Sequence, residues 1–241
     1  EGLLNRIGGY IMLIFNLIKW KLIDLYREIK RIWNKEDKKI HLYGIYGFFG
    51  LPGKGKTMGM VYQLNQYRKK YRDKIYIMTN FHYKDQDFEF THWKDLLKEY
   101  DKPLVVSWDE VQNEFNSRDF KNFPVELLTL LTQNRKGNGK QILYTAQRWN
   151  RVDKVFRELT HFAIECNTIF KRWTRLRYYH WEDYESLQQT PHVELRRRIK
   201  PIKIIGFVQT DDMRNSYDSY KMLESAKNKD YMNRDEIIKL I

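Results

Sequence analysis

The feature that most constrains this chain of 241 residues is an eight-residue segment at positions 50–57, GLPGKGKT. It matches the pattern G-x-x-x-x-G-K-[ST] at every fixed position. An apolar, strand-like run at 41–48 precedes it, and an amphipathic, helix-like run at 58–71 follows it. Between a strand and a helix, these glycines allow backbone N–H groups to surround a phosphate. The segment therefore predicts a loop that binds the phosphates of a nucleotide.

Two side chains at the end of this loop have specific predicted roles. Lys56 is expected to lie between the β- and γ-phosphates, and the hydroxyl of Thr57 is expected to bind Mg²⁺. The predicted nucleotide-contacting residues are Gly50, Pro52, Gly53, Lys54, Gly55, Lys56, Thr57 and Met58. A nucleoside triphosphate and Mg²⁺ are thus the predicted cofactors.

A second motif, KPLVVSWDE at 102–110, supplies two acids. Its residues 104–108 predict a buried strand, and the ends of parallel strands face the bound nucleotide. We expect Asp109 to hold Mg²⁺ through water and Glu110 to polarise the attacking water. A glutamate directly after the aspartate indicates an ATPase rather than a GTPase or a kinase, so the predicted nucleotide is ATP.

A third strand-like run, QILYTAQ at 141–147, ends in a polar side chain. The amide of Gln147 is expected to reach the γ-phosphate and to orient the attacking water. Thr145 is the alternative for this role. An ordinary polar side chain leaving a strand gives the same pattern, so both interpretations stay open.

An arginine from a neighbouring subunit often stabilises the developing charge in ring-forming ATPases. Arg135, in the loop TQNRKGNGK, is the first candidate for this catalytic role. Arg148 and Arg157 compete with it, and a solvent-facing arginine is the ordinary structural alternative for each.

The alternation of strand-like and helix-like runs from residue 40 onward predicts an α/β fold. We expect the three-layer sandwich of P-loop NTPases with a mostly parallel central sheet. The predicted strands are 41–48, 74–78, 104–108, 141–145 and 162–165, and the predicted helices are 58–71, 93–100, 125–133 and 152–159. Beyond residue 168, aromatic and basic segments predict antiparallel strands in a β-rich C-terminal extension. The predicted organisation is an N-terminal helix at 1–38, an ATPase domain at 39–220 and a helical tail at 221–241.

The N-terminal segment predicts an amphipathic basic helix. Its densest apolar stretch, 10–18, is about half of the length that crosses a bilayer. From residue 17 onward, apolar residues recur every three or four positions with basic residues between them. Trp20, Trp33 and the lysines suit a helix at a membrane surface or one that docks onto a partner. A helix that packs on its own domain is the alternative.

The composition favours polyanionic partners. Lys and Arg number 44 against 31 Asp and Glu, a formal net charge of +13, which suits nucleic acid or an acidic membrane. An aromatic content of 15% excludes wholesale disorder, and the single cysteine, Cys166, excludes an intramolecular disulfide. The residues that suit phosphate contacts and base stacking are Lys136, Lys140, Arg148, Lys171, Arg172, Arg175, Arg177, Arg196, Arg197 and Arg198, with the aromatic Trp173, Tyr178, Tyr179 and Trp181. An aromatic strand face packed on a core has the same spacing.

These motifs together resemble the zonular occludens toxin (Zot) family, which includes the gene I assembly proteins of filamentous phages. The resemblance covers about residues 40–220. It rests on GLPGKGKT, VVSWDE, QNRKGNGKQILYTAQ, VDKVFRELTHF with its Arg-x-Leu, and a late SYDS. It implies a ring-forming ATPase of the FtsK/HerA-like division that drives single-stranded phage DNA, with its coat, through the inner membrane. The implied location is the host cytoplasm at the inner membrane.

Three alternatives accompany this resemblance. Family members commonly have a membrane span after the ATPase domain, whereas the amphipathic segment here is at the opposite end, which leaves room for a viral genome-packaging ATPase within a virion or packaging complex. A membrane-surface assembly scaffold that only senses nucleotide and docks coat proteins is a second alternative. A small-molecule kinase is disfavoured because the sequence shows neither an arginine-rich lid nor an acceptor pocket.

Overall fold

The computed structural model describes residues 2–34, 40–113, 115 and 124–218. The chain divides into two compact units, Glu1–Ile40 and His41–Ile241. The first unit contains one helix, and the second contains the sheet with the other helices. The predicted tail at 221–241 lies outside the described residues.

The helix of the first unit, α1 (Gly2–Trp33), runs for 32 residues. Its exposed apolar side chains include Tyr10, Phe15, Trp20 and Trp33. Two basic residues lie in its last turn, where they are favourable next to the helix dipole. Among the residues that the structure describes, no helix combines the length and the apolar character needed to span a bilayer.

The second unit is built on an eight-stranded sheet with the order β3-β2-β4-β5-β1-β6-β7-β8. The first six strands in this order run parallel, β7 is antiparallel to β6, and β8 is antiparallel to β7. The strands are β1 (Gly44–Phe49), β2 (Tyr76–Thr79), β3 (Phe88–Glu89), β4 (Leu104–Trp108), β5 (Lys140–Ala146), β6 (Phe162–Ile169), β7 (Trp173–His180) and β8 (Lys203–Val208). The mostly parallel sheet and its antiparallel extension confirm the predicted fold class.

The helices of the second unit connect and flank these strands. They are α2 (Lys56–Tyr71), α3 (Val125–Thr132), α4 (Lys154–Glu158), α5 (Trp181–Gln189), α6 (Val193–Arg198) and α7 (Asp211–Arg214). The segment predicted as a helix at 93–100 is a short 3-10 helix, Trp93–Leu97, which ends where Lys98 turns extended. The helix predicted at 152–159 starts later, because the Asp153 carboxylate accepts a hydrogen bond of 2.8 Å from the Val155 N–H and caps α4.

The central strands are buried on both faces, as expected for a parallel sheet covered by helices. Phe48 of β1 is paired with Thr145 of β5, and Tyr144 of β5 is paired with Trp108 of β4. The carboxyl ends of β1, β5 and β4 therefore lie side by side. This places the loop after β1 and the acids after β4 at the same edge of the sheet.

Candidate nucleotide-binding site

The loop between β1 and α2 has the backbone that phosphate binding requires. Gly55, directly before α2, has φ +83°, and Gly53 has φ +74°. A side chain is strained in this left-handed region, and a Cβ at Gly55 would also overlap the Thr168 hydroxyl. Because α2 begins at Lys56, the free N–H groups of its first turn face this loop. The predicted contact residues, Gly50, Pro52, Gly53, Lys54, Gly55, Lys56, Thr57 and Met58, therefore lie in this loop and in the first turn of α2.

The lysine of the motif is buried and lies close to one of the predicted acids. Lys56 has 7% of its surface exposed, and its Nζ is 3.8 Å from Oε1 of Glu110. A buried ammonium requires a negative partner. A phosphate bound in the loop would give Lys56 a second negative partner besides Glu110.

Thr57 and Asp109 meet across the gap between α2 and β4. The Thr57 hydroxyl is 3.3 Å from Oδ1 and 3.1 Å from Oδ2 of Asp109. Asp109 is only 9% exposed, and the buried Thr145 hydroxyl donates to its Oδ1. Burial raises the pKa of the Asp109 carboxyl above its ordinary value, despite the hydrogen bonds from Thr145 and Thr57 that oppose this.

These two side chains suit Mg²⁺. The ion prefers oxygen ligands and is commonly held by one or two protein side chains, water and phosphate oxygens. A hydroxyl and a carboxylate at 3.1 Å from each other supply such a pair. A buried carboxylate whose ionised form is disfavoured is also one that a cation would stabilise.

Glu110 is held in an unusual backbone conformation by its neighbours. Its φ is +56°, and its N–H donates to the Thr145 hydroxyl at 2.9 Å. Its Oε2 accepts hydrogen bonds from Gln112 and, at 3.5 Å, from Gln147. Strain of this kind, maintained by several surrounding contacts, is typical of active sites.

The structure distinguishes the two polar residues proposed near the γ-phosphate. Thr145 is fully buried and bridges Asp109 and Glu110 from beneath. Gln147 lies at the tip of β5, contacts Glu110, and accepts a hydrogen bond of 3.4 Å from Arg151. Gln147 is therefore beside the acid, whereas Thr145 supports both acids.

Sequence reasoning missed Asn80, which follows β2. Its Oδ1 accepts from the Asp109 N–H at 2.8 Å, and its Nδ2 donates to the Asp109 carbonyl at 3.1 Å. This double hydrogen bond continues the β2–β4 pairing past the end of the strands. An asparagine directly after an apolar strand, YIMTN, was the available signal.

The candidate arginines lie in three different environments. Arg135 precedes β5, at the amino edge of the sheet, and its guanidinium lies 5.6 Å from the ring centre of Tyr43. The structure does not bring it to this chain's own loop, so a role at a neighbour's site stays a prediction. Arg148 is exposed just after β5, at the edge that bears the acids. Arg157 forms an ion pair of 2.6 Å with Glu185.

For three of the four aromatic residues, the alternative of side chains packed on the core is confirmed, and base stacking is wrong. Tyr178 and Tyr179 are buried, and Trp181 packs against the core. Lys203 lies over the Tyr178 ring at 5.7 Å. Of the four, Trp173 is the exposed one. Tyr178 and Tyr179 are consecutive in β7 and lie on opposite faces of the sheet, so both faces are covered at this point.

Together, the loop after β1, the acids after β4 and the intervening strand β5 define the fold as that of a P-loop NTPase. No protein-family model matches the chain, and no curated protein matches it either. Among solved structures, the chain is similar to the N-terminal domain of zonular occludens toxin from Neisseria meningitidis, with 18% identity and a TM-score of 0.49 over 73% of this chain and 100% of that one.

Two further solved structures with similar folds are of viral packaging enzymes. One is the genome-packaging NTPase B204 from Sulfolobus turreted icosahedral virus 2 in complex with sulfate, with 13% identity and a TM-score of 0.41 over 70% of this chain and 92% of that one. The other is B204, the DNA-packaging ATPase from Sulfolobus turreted icosahedral virus, with 11% identity and a TM-score of 0.43 over 71% of this chain and 98% of that one.

Proposed function

We propose that this protein is an ATP-hydrolysing motor that moves phage or virus DNA during virion assembly. The observation that supports hydrolysis best is the convergence of Lys56, Thr57, Asp109 and Glu110 at one edge of the sheet. The DNA substrate comes from the resemblance to the Zot family and from the net charge of +13.

In the proposed reaction, Glu110 acts on the attacking water. Its carboxylate is oriented by Gln112 and Gln147, so one oxygen is held while the other remains beside Lys56. Lys56 stabilises negative charge on the transferred phosphoryl group. Mg²⁺, held by Thr57 and Asp109, would supply further charge neutralisation at the phosphates.

The assembled state is part of the proposal. We infer a ring in which a neighbouring subunit supplies an arginine, with Arg135 as the first candidate and Arg148 as its competitor. Arg157 is less suitable because Glu185 already holds its guanidinium. A mixing experiment tests this: subunits with Glu110→Gln and subunits with Arg135→Ala, each inactive alone, should regain partial activity when combined. Arg148→Ala is tested in the same way.

The last part of the proposal is that the protein acts at the inner membrane of the host cell. The exposed apolar side chains of α1, next to Lys19, Lys21 and Lys30, support contact with an anionic membrane surface. Coat or other assembly proteins are the expected partners there. A genome-packaging ATPase acting in a virion remains the alternative within the same class.

The central test measures ATP turnover. Lys56→Ala should remove ATP binding and hydrolysis, whereas Glu110→Gln should bind ATP with little turnover and accumulate as an oligomer. Wild-type turnover should rise with single-stranded DNA, and the stimulation should weaken as salt increases. Full turnover by Lys56→Ala would refute the assigned site.

A membrane-surface scaffold that only senses nucleotide is the second candidate, favoured by the same exposed face of α1. It predicts ATP binding with no stimulation by DNA at any salt concentration. The turnover assay on the wild-type protein therefore separates the two candidates.

A further inference from the structure

The turn between β6 and β7 lies beside the phosphate loop, on the side away from the acids. Phe49, the last residue of β1, is paired with Glu165, so β6 continues four residues beyond β1 to Ile169. At about 3.3 Å per residue this is an extension of about 13 Å. In the strand order, β6 and β7 follow β1 on one side, whereas β5 and β4 lie on the other.

The extended part of β6 packs directly on the loop. A Cβ at Gly50 would lie 2.9 Å from the Cys166 carbonyl oxygen, and one at Gly55 would overlap the Thr168 hydroxyl. The Thr168 hydroxyl is in turn 2.8 Å from that of Thr174 on β7. The β6–β7 hairpin therefore forms one wall of the nucleotide-binding site.

The turn itself has a bulky aromatic residue where the backbone favours a small one. Phe170 and Lys171 have φ of +51° and +60°, and the Arg172 N–H donates to the Ile169 carbonyl at 3.3 Å. Turns of this hand favour Asn and Gly. Phe170 nevertheless occupies the first position, with 87% of its surface exposed. An exposed phenyl ring gains no burial energy that would offset this strain within the chain.

Several hydrogen bonds hold the turn against the segment that follows β8 and against α7. Arg172 donates to the Gln209 carbonyl at 3.0 Å and forms an ion pair of 2.8 Å with Asp211. Arg214 donates to the Lys171 carbonyl and to the Gln209 side chain, and Gln209 donates to the Thr174 hydroxyl at 2.7 Å. The Phe170 ring therefore projects from a turn that these hydrogen bonds hold in place. Through Thr174 and Thr168, the same network reaches Gly55 of the phosphate loop.

We propose that Phe170 is a base-stacking residue and that the β6–β7 turn forms the subsite for the adenine ring. The inference rests on the proposed ATPase function. The γ-phosphate end of the nucleotide is expected between Lys56 and Glu110, on the β5 and β4 side. The nucleoside at the other end therefore extends toward β6, where an exposed aromatic face offers stacking that is tolerant of base identity and strongest for purines.

The test compares ATP with inorganic tripolyphosphate, which has the phosphates but no base. Phe170→Asn should weaken ATP binding about tenfold while leaving tripolyphosphate binding unchanged. Because Asn tolerates positive φ better than Phe, the variant should also keep or raise the melting temperature. Reduced ATP affinity would then have no explanation in unfolding. The preference for ATP over CTP should decrease in the same variant.

Two further variants complete the design. Phe170→Trp should retain ATP binding and show fluorescence quenching with ATP but not with tripolyphosphate. Tyr43→Ala removes an exposed aromatic residue at the opposite edge of the sheet and should leave ATP affinity unchanged.

Unchanged ATP affinity in Phe170→Asn, or an equal loss for tripolyphosphate, would overturn the inference. So would unchanged ATP affinity with weakened binding of single-stranded DNA, which would assign the ring to nucleic acid. If the wild-type chain binds neither ATP nor tripolyphosphate, the proposed function itself fails.

Discussion

Thr145→Val tests whether one buried hydroxyl organises both proposed catalytic acids, Asp109 and Glu110. The Thr145 hydroxyl donates to the Asp109 carboxylate and accepts from the Glu110 N–H at 2.9 Å. Valine has nearly the same shape, so the fully buried position keeps its volume and loses only the hydroxyl. The substitution leaves the Glu110 N–H without this acceptor and removes one of the hydrogen bonds to Asp109.

The expected magnitude follows from these two bonds. A hydrogen bond to a charged group contributes about 1.5–3 kcal/mol, and a buried N–H left without a partner costs about 1–3 kcal/mol. We expect the free energy of unfolding to fall by about 3 kcal/mol. Because Glu110 has a strained backbone maintained by its contacts, kcat should fall by about 100-fold.

The assay combines urea unfolding with steady-state ATP turnover. The Kd for ATP should change little, because Thr145 lies beneath the acids rather than in the loop. The hydrogen bond from Thr145 lowers the pKa of Asp109 against the larger effect of burial, so its loss should raise that pKa further. Without nucleotide and Mg²⁺, the pH range over which stability falls should consequently extend to higher pH than in the wild type.

Thr145→Ser is the matched control, since it keeps the hydroxyl and loses a buried methyl group. It should lose about 1 kcal/mol of stability and retain most of the turnover. Equal turnover and equal pH profiles for the valine and serine variants would refute the reasoning, because the hydroxyl would then have no separate role.

Three further predictions address the loop, the buried acid and the ion pair. Gly55→Ala should abolish ATP binding and lower stability by more than Gly53→Ala, because both positions have positive φ but only the Cβ at Gly55 meets a neighbour; a chemical-unfolding series of the two variants checks this. The pKa of Asp109 is raised in the folded chain without nucleotide, so wild-type stability falls as pH rises from the ordinary value of 3.8 through the folded-state pKa. Asp109→Asn should therefore be more stable than the wild type at pH 7. This advantage should disappear near pH 3.8. Arg157→Ala should lower stability by about 2 kcal/mol through loss of the pair with Glu185; wild-type stability with lost turnover would instead indicate a catalytic arginine.

The position of the predicted phosphate-binding loop between β1 and α2 was predictable because its constraints are local. Each glycine position, the lysine and the threonine have fixed spacing along the chain, and the strand before and the helix after them follow from hydrophobic periodicity. The acids after β4 were predictable for a similar reason, since a strand end in a parallel sheet is a known location for ligand contacts. The structure places Thr57 and Asp109 within 3.1 Å of each other, although 52 positions separate them.

The supporting contacts were not predictable because they depend on strand order. Asn80 reaches Asp109 only because β2 neighbours β4, and Thr168 meets Gly55 only because β6 neighbours β1. Aromatic spacing was misleading for a related reason. Tyr178 looks suited to base stacking in the sequence, but its strand face is covered by the core, whereas Phe170, in the adjoining turn, is exposed.

The direction of the strands explains the remaining difference between expectation and structure. In a parallel sheet, residues that precede a strand lie at the opposite edge from residues that follow one. Arg135 precedes β5 and Arg148 follows it. The two candidates therefore lie at opposite ends of the same strand, Arg135 at the amino edge of the sheet and Arg148 at the carboxyl edge. A ring in which Arg135 serves a neighbour must therefore bring the amino edge of one sheet to the carboxyl edge of the next. A ring that uses Arg148 instead joins subunits near their acid-bearing edges. The two complementation experiments consequently report on subunit orientation as well as on chemistry, because restored turnover with Arg135→Ala is compatible with the first arrangement alone.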